Sequence, residues 1–309
     1  MDVICAGEML IDFTPGKEPD TYTANPGGAP ANVAVSMARN GMKTAFLGVL
    51  GNDDFGRKLK GVLEENKITM LCPKLTDEAV TTLAFVTLHA GGERSFTFAR
   101  KPGADILLRE EDIREEDIEA CKLFHAGSVS LSDEPSRSAI VYAMKTAHEK
   151  GKIVSFDVNY RDMIWHGEER CKKEVENILP YVDLLKLSDE ELAFAGGEEN
   201  IPSFMEKYGI TVLVETLGAD GAKYYFAGSS GQVKGRKVNA VDATGAGDAF
   251  WGGFLSRMLM LGMEKVSDVT EEKVEQALCY GNVSGALCVQ KKGGIPALPT
   301  REEIEEVLS

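Results

Sequence analysis

The sequence predicts an α/β protein, a doubly wound and mainly parallel sheet flanked by helices, with a small β-sheet lid. Short apolar runs of strand length alternate with stretches of helix length along most of the chain. The strand runs are short and mainly apolar, as strands covered on both faces are. One segment, 79–105, is β-rich and has no helix inside it.

Val3 to Gly7 reads as the first buried strand. Ala29 to Asn40 reads as a helix stopped by Gly41, followed by a strand at Lys43 to Val49 and a helix from about Phe55 to Asn66. Strand Lys122 to Ala126, helix Pro135 to Lys150 and strand Ile153 to Asp157 come next. Strand Val182 to Lys186, helix Asp189 to Ala195 and strand Thr211 to Glu215 continue the alternation. Two long helices, Asp248 to Leu261 and Glu271 to Lys291, close it. Ala79 to Leu88 and Arg94 to Arg100 read as strands joined by a hairpin turn at Ala90–Glu93. With no internal repeat, low-complexity segment or long linker, residues 1–309 are expected to form one unit, with a lid built from about 11–25 and 79–105.

Composition excludes several classes. The net charge of −15 argues against a nucleic-acid partner. No apolar run approaches the ~18–20 residues of a membrane span, and Met1–Ala6 enters a strand pattern without a basic leader. Six scattered cysteines without a C-x-x-C pair are expected as free thiols in the cytoplasm, and four histidines without an H-x-x-x-H pair do not suggest zinc.

The strongest chemical signal is Val241-Asp-Ala-Thr-Gly-Ala-Gly-Asp-Ala-Phe250. Small residues let backbone approach a ligand, and the apolar pattern after Asp248 begins a helix. The amides of Gly245, Ala246 and Gly247 are thereby placed at a helix N-terminus, where donors and dipole favour an anion. An acid at that point makes sense if Asp248 takes the proton of a substrate hydroxyl while the amides hold a phosphoryl group. A Gly-rich turn capped by an aspartate has the same short pattern; the ten-residue string is more specific. No G-x-x-x-x-G-K-[ST] is present, and Gly245-x-Gly247 lacks the third glycine of the dinucleotide fingerprint. Arg161, after the strand ending in Phe156-Asp157, offers a fork of donors to phosphoryl oxygens; a surface arginine is the alternative.

Asp242–Asp248 resembles the C-terminal signature of the ribokinase-like (PfkB) carbohydrate kinases, and Asn25-Pro-Gly-Gly-Ala-Pro-Ala-Asn-Val-Ala34 resembles their N-terminal one. The resemblance spans essentially the whole chain and implies ATP-dependent phosphorylation of a sugar hydroxyl in a cytoplasmic enzyme. It also implies an acid at Asp12 gripping sugar hydroxyls, close backbone approach at Gly27 and Gly28, and a sugar contact from Asn32. Thr216, Gly218 and Gly221 match the nucleotide loop, and adenine is implied near Asn282. Lys186, Ser188 and Glu191 stand where relatives carry Asn-x-x-Glu linked to magnesium; Ser188 replaces the asparagine, which leaves the metal role of Glu191 open, with a helix cap as the alternative. Asp242 and Thr244 match part of a monovalent-cation (K+) site. Mg2+ itself follows from ATP chemistry.

The hairpin around Phe96, Phe98, Arg100 and Lys101 resembles the lid of bacterial fructokinases and, less closely, of 2-keto-3-deoxygluconate kinases. Phe96 and Phe98, two apart, share a strand face; ordinary sheet packing has the same spacing. Arg100 is available for an acidic sugar, whereas the Gly-Gly-Ala-Pro-Ala-Asn string and the neighbourhood of Asn159 favour fructose, with homodimer formation through the lid. A non-catalytic sugar sensor is the reading from another class; loss of Asp248 or its glycines would favour it, and all are present.

Overall fold

Burial decides which apolar runs become central strands. The computed structural model describes residues 1–16, 18, 20–72, 74–88 and 94–309, without the side chains of residues 88 and 94–96. All four residues of β1 (Val3–Ala6) are buried. The chain then leaves the main sheet for β2 (Leu10–Pro15) and β3 (Tyr22–Gly27), and returns through α1 (Ala29–Arg39), β4 (Thr44–Leu47), α2 (Asp54–Glu65) and β5 (Thr69–Met70). β6 (Leu83–Leu88) and β7 (Arg94–Ala99) stand apart again. α3 (Glu115–Glu119), β8 (Leu123–Gly127), α4 (Ser136–Glu149), β9 (Ile153–Asp157), α5 (Asp162–Trp165) and α6 (Glu168–Ile178) follow. Next come β10 (Leu184–Ser188), α7 (Ile201–Tyr208), β11 (Val212–Thr216), β12 (Gly221–Phe226) and β13 (Ser229–Lys234), then α8 (Ala246–Met260), α9 (Glu271–Cys288) and α10 (Arg301–Leu308).

The main sheet runs β13-β12-β11-β10-β9-β8-β1-β4-β5. It is parallel from β11 to β5 and ends in an antiparallel pair, β12–β13. Strand order reverses between β1 and β8, so the carboxyl ends there open a crevice, where ligands bind in sheets of this kind. Helices α1, α8 and α9 cover one face, and α4, α6 and α7 the other. At the centre, fully buried Trp251 stacks on Phe254 at 4.8 Å, and its indole N–H donates to Ser155 Oγ at 3.0 Å. Among the described residues no helix is long and apolar enough to cross a membrane.

A second sheet, β3-β2-β6-β7, contains the two segments expected to form a lid. Register aligns Asp12, Ala84 and Phe98 across β2, β6 and β7, so these three share a face. On the next row Phe13 stacks on Phe85 at 4.9 Å and meets Phe55 of α2 edge-on at 5.6 Å. The turn expected at Ala90–Glu93 and the side chain of Phe96 lie outside the described residues.

Three differences from the sequence reading have physical causes. Asp189–Ala195, expected as an α-helix, is a short 3₁₀ helix stopped by Gly196 in a left-handed conformation. The β12–β13 hairpin had no apolar signal in its second strand because Ser229–Lys234 is an edge, mostly exposed. Helices α6 and α10 are largely polar and bury only a narrow stripe.

Candidate active site

Asp248 occupies the first turn of α8, where the sequence turns from small residues to a helical apolar pattern. Gly245 makes that turn with φ +77°, and a Cβ there would meet the Gly294 backbone at 3.1 Å, so a side chain would be both strained and crowded. The Ala246 N–H closes a turn on the Ala243 carbonyl at 3.2 Å and the Ala249 N–H bonds Gly245. The amides of Gly247 and Asp248 between them are first-turn donors, which lack intrahelical acceptors. Of the three amides assigned to an anion hole, that of Ala246 is therefore already used by the turn.

Two cavities meet at Asp248. One, of about 210 Å3, is lined by Glu8, Asp12, Gly28, Asn32, Phe98 and Arg161, among others. The second, of about 460 Å3, holds Lys186, Ser188, Glu191, Thr216 and Gly247. Asn159, Arg161, Ala243, Gly245 and Asp248 line both. A more voluminous groove, about 890 Å3, lies away from them between α7 and the β12–β13 hairpin, so size alone does not mark the site.

In the smaller cavity, Asn32 on α1 donates its amide to Asp248 Oδ2 at 2.7 Å, while its own Oδ1 is buried without a partner among the described residues. That acceptor is a place for a ligand hydroxyl. Burial pushes the Asp248 carboxyl up to about 6, against the Asn32 hydrogen bond; Asp157 pushes further, and Lys186 and Arg161 pull back. Burial likewise pushes Asp12 up to about 7, opposed by Arg161 and aided by Asp248 and Asp242. The Asp12 carboxylate fills the space a Cβ on residue 27 would need, which is why glycine stands there. Arg161 is exposed, lines both cavities and also donates to the Tyr160 carbonyl at 2.9 Å.

Two site residues had gone unassigned in the sequence. Glu8 accepts from the Ala29 N–H at 3.1 Å and the Ser130 hydroxyl at 2.9 Å, and burial pushes it up to about 7. Asp157 carries Lys186 on both oxygens at 2.9 Å. The available signal was a charge inside or just beyond a buried strand, where isolated charges are costly.

Other assignments are altered by the contacts. Arg100 lies outside the sugar-side cavity: its nearly buried guanidinium pairs with Asp105 at 2.7 Å and Asp133 at 3.1 Å and also donates to Ser132. The buried carboxylate of Asp105 demands that cation, and no sequence pattern announces it. Glu191 accepts from the Tyr160 and Ser188 amides at 2.6 and 2.8 Å: one oxygen caps its own turn at Ser188 and the other ties that turn to the loop after β9. Asn282 donates to the Val233 and Lys234 carbonyls at 3.1 and 3.3 Å, fastening α9 to β13. One residue on, Val283 lines an apolar groove of about 410 Å3 with Val238, Ala286 and Leu287. Thr216 lines the larger cavity; Gly218 and Gly221 shape the turn into β12, where Leu217 N–H bonds the Gly221 carbonyl. Asp242 holds its loop by accepting from Thr244 N–H and Oγ1 at 3.0 and 2.7 Å and from Gly293 at 3.0 Å.

The geometry has counterparts in known proteins. The probable chloroplastic fructokinase-6 of Arabidopsis thaliana is 42% identical over 317 residues, covering 99% of this chain and 82% of its own. The structure of fructokinase from Xylella fastidiosa with bound ATP matches with a TM-score of 0.91 at 32% identity, over 99% of this chain and 98% of that one. A double mutant of Vibrio cholerae O395 fructokinase, in fructose, ADP and potassium ion bound form, gives 0.89 at 33%, over 100% and 98%. Residues 1–301 match the model of the pfkB family carbohydrate kinases, and the chain belongs to that family.

Proposed function

We propose that this protein is an ATP-dependent fructokinase that transfers the γ-phosphoryl group to a hydroxyl of D-fructose, giving fructose 6-phosphate. The observation that carries the reading is the meeting of two cavities at one buried carboxylate, Asp248. The smaller takes the sugar and the larger the phosphates. Asp248 accepts the hydroxyl proton, the Gly247 and Asp248 amides and Arg161 face the charge that develops, and Asn32 holds the carboxylate towards the hydroxyl. The apolar groove beside Val283 suits a flat base.

Charge supports a neutral sugar. Glu8, Asp12 and Asp248 all line the sugar cavity, where Arg161 is the one cation among the described residues. With Arg100 consumed by Asp105 and Asp133, a sugar acid such as 2-keto-3-deoxygluconate would place its carboxylate among carboxylates. Relatives named fructokinase support the same reading.

Among the described residues no cluster of three or more acidic, histidine or cysteine side chains could hold a metal ion. A protein-built magnesium cage does not fit; the ion fits as the counter-ion of ATP, keeping its waters. A potassium ion near Asp242 and Thr244 is proposed from the Vibrio relative's bound form. The small sheet acts as a lid that brings Phe98 over the sugar and excludes water. Its other face, with Phe13, Phe85 and half-exposed Tyr22, is proposed to pair with a second copy. The cysteines are free, which suits a reducing compartment such as the cytoplasm.

The test is ADP release from Mg-ATP across fructose, 2-keto-3-deoxygluconate, ribose, fructose 6-phosphate and adenosine. Fructose is expected to give the highest kcat/KM. A preference for the sugar acid or for adenosine would overturn the substrate assignment. Asp12→Ala is expected to raise the KM for fructose about 10–100-fold, the cost of losing one or two charged hydrogen bonds, with a smaller change in kcat. A KM that stays put would remove Asp12 from the sugar.

A further inference from the structure

The larger cavity must receive a polyanion, yet it is poor in cations. Its charged lining groups are Glu168, Glu190, Glu191 and Asp248 against Arg161 and Lys186, and Arg161 is exposed. Lys186 is the buried one, with a side chain 6% exposed. Parallel pairing of β9 and β10 sets Lys186 directly beside Asp157, and both carboxylate oxygens lie 2.9 Å from Nζ. An ammonium has three protons. Asp157 takes two, and the third has no partner among the described residues. Nζ is also 3.5 Å from the point where a Cβ on Gly247 would stand. The donor therefore borders the open N-terminus of α8, in the cavity that ends at Asp248.

From this placement we infer that Lys186 is a catalytic residue, whose remaining N–H donates to the phosphoryl group in flight. The inference rests on the kinase reading above and adds a fixed side-chain donor to the α8 amides. In the step, the sugar oxygen forms a bond to the γ-phosphorus and its proton passes to Asp248. The bond from that phosphorus to the β–γ bridging oxygen breaks, and its electron pair leaves with ADP. Negative charge on the three equatorial oxygens meets Lys186 on one side and the α8 amides on another. Asp157 has the supporting role. A buried lysine without a partner tends to lose its proton. Burial pulls the ammonium down, but Asp157 and then Glu191 hold Lys186 above its ordinary value. The pair is close to neutral as a whole, so it puts a permanent donor into an acidic site without a free buried charge.

Removing the lysine alone would leave Asp157 buried and unpaired, so the test uses Lys186→Met beside the neutral double variant Asp157→Asn/Lys186→Gln. Thermal unfolding reports folding, steady-state ADP release gives kcat and the KM for fructose, and calorimetry compares binding of Mg-ADP with Mg-ADP plus fluoroaluminate, each with fructose present. Fluoroaluminate imitates the transferring phosphoryl group. The expected result is a double variant that unfolds within a few degrees of the parent, with kcat lowered about 10²–10³-fold, the range for one lost transition-state donor. Its KM for fructose and its affinity for Mg-ADP stay within about threefold, and the tightening by fluoroaluminate is lost. A folded double variant with kcat within threefold of the parent, or with the tightening intact, would overturn the assignment. So would failure of both variants to fold, which would make the pair a structural one. A parent enzyme inactive on every sugar tested would instead strike the kinase reading itself.

Discussion

Asp248→Asn is expected to lower kcat about 10²–10⁴-fold, the contribution of a positioned general base, while the protein still folds and binds fructose and ATP. The change keeps shape and volume and removes the acceptor for the hydroxyl proton. Steady-state ADP release measures it, and near-normal turnover would end the assignment of Asp248 as the base. The pH dependence has a definite sign. Asp248 must be ionised to act, and burial first of all pushes it up to about 6, with Asp12 beside it at about 7. The kcat/KM of the parent should therefore climb as pH rises through 6 to 7 and then level off. Stability runs the opposite way. The folded state holds this proton more tightly than the unfolded chain, whose aspartates titrate near 4, so the Asp248 contribution declines between about pH 4 and 6. Above that window the ionised, buried carboxylate costs on the order of 2–3 kcal/mol. The variant is thus expected to melt at or above the parent at pH 8, and the gap should close towards pH 4. A variant that melts well below the parent at pH 8 would contradict the burial argument.

Trp251→Ala is expected to give the largest loss of stability, about 3–5 kcal/mol, as for other large aromatic side chains deleted from a core. Trp251 is fully buried in α8, stacked on Phe254, and its N–H satisfies Ser155 Oγ, which also meets His125 Nδ1 at 3.1 Å. Truncation opens a cavity between α8 and β9, and Ser155 loses a donor. For a chain of this size the melting temperature should fall about 5–10 °C. Kinetics separate packing from chemistry: well below the transition the variant should keep its KM for fructose within a fewfold. A melting temperature within 2 °C of the parent would mean that the helix collapses onto the space.

The sequence by itself determined the architecture and singled out Asp248, the carboxylate at which the two cavities meet. Mainly apolar runs of strand length, alternating with helix-length stretches, pointed to central strands covered on both sides. The small-residue turn before an apolar helix located Asp248, because few other patterns bring backbone amides and an acid to one point. Asp12 and Asn32 were legible for the same reason: each follows a recognisable local signal, a strand end or a Gly-Gly helix start. What the tertiary structure decided is pairing between distant segments. Arg100 looked available for a substrate until Asp105 and Asp133 were found on it. Glu191 stood open between a metal role and a helix cap, and the fold brings the Tyr160 and Ser188 amides onto its two oxygens. Lys186 and Asp157 become a pair only when β9 and β10 lie in register. A charge in the sequence states that a partner or a solvent shell is required, because burying it alone is prohibitive. Which partner it finds depends on strand order and register, set by the burial of many apolar side chains at once.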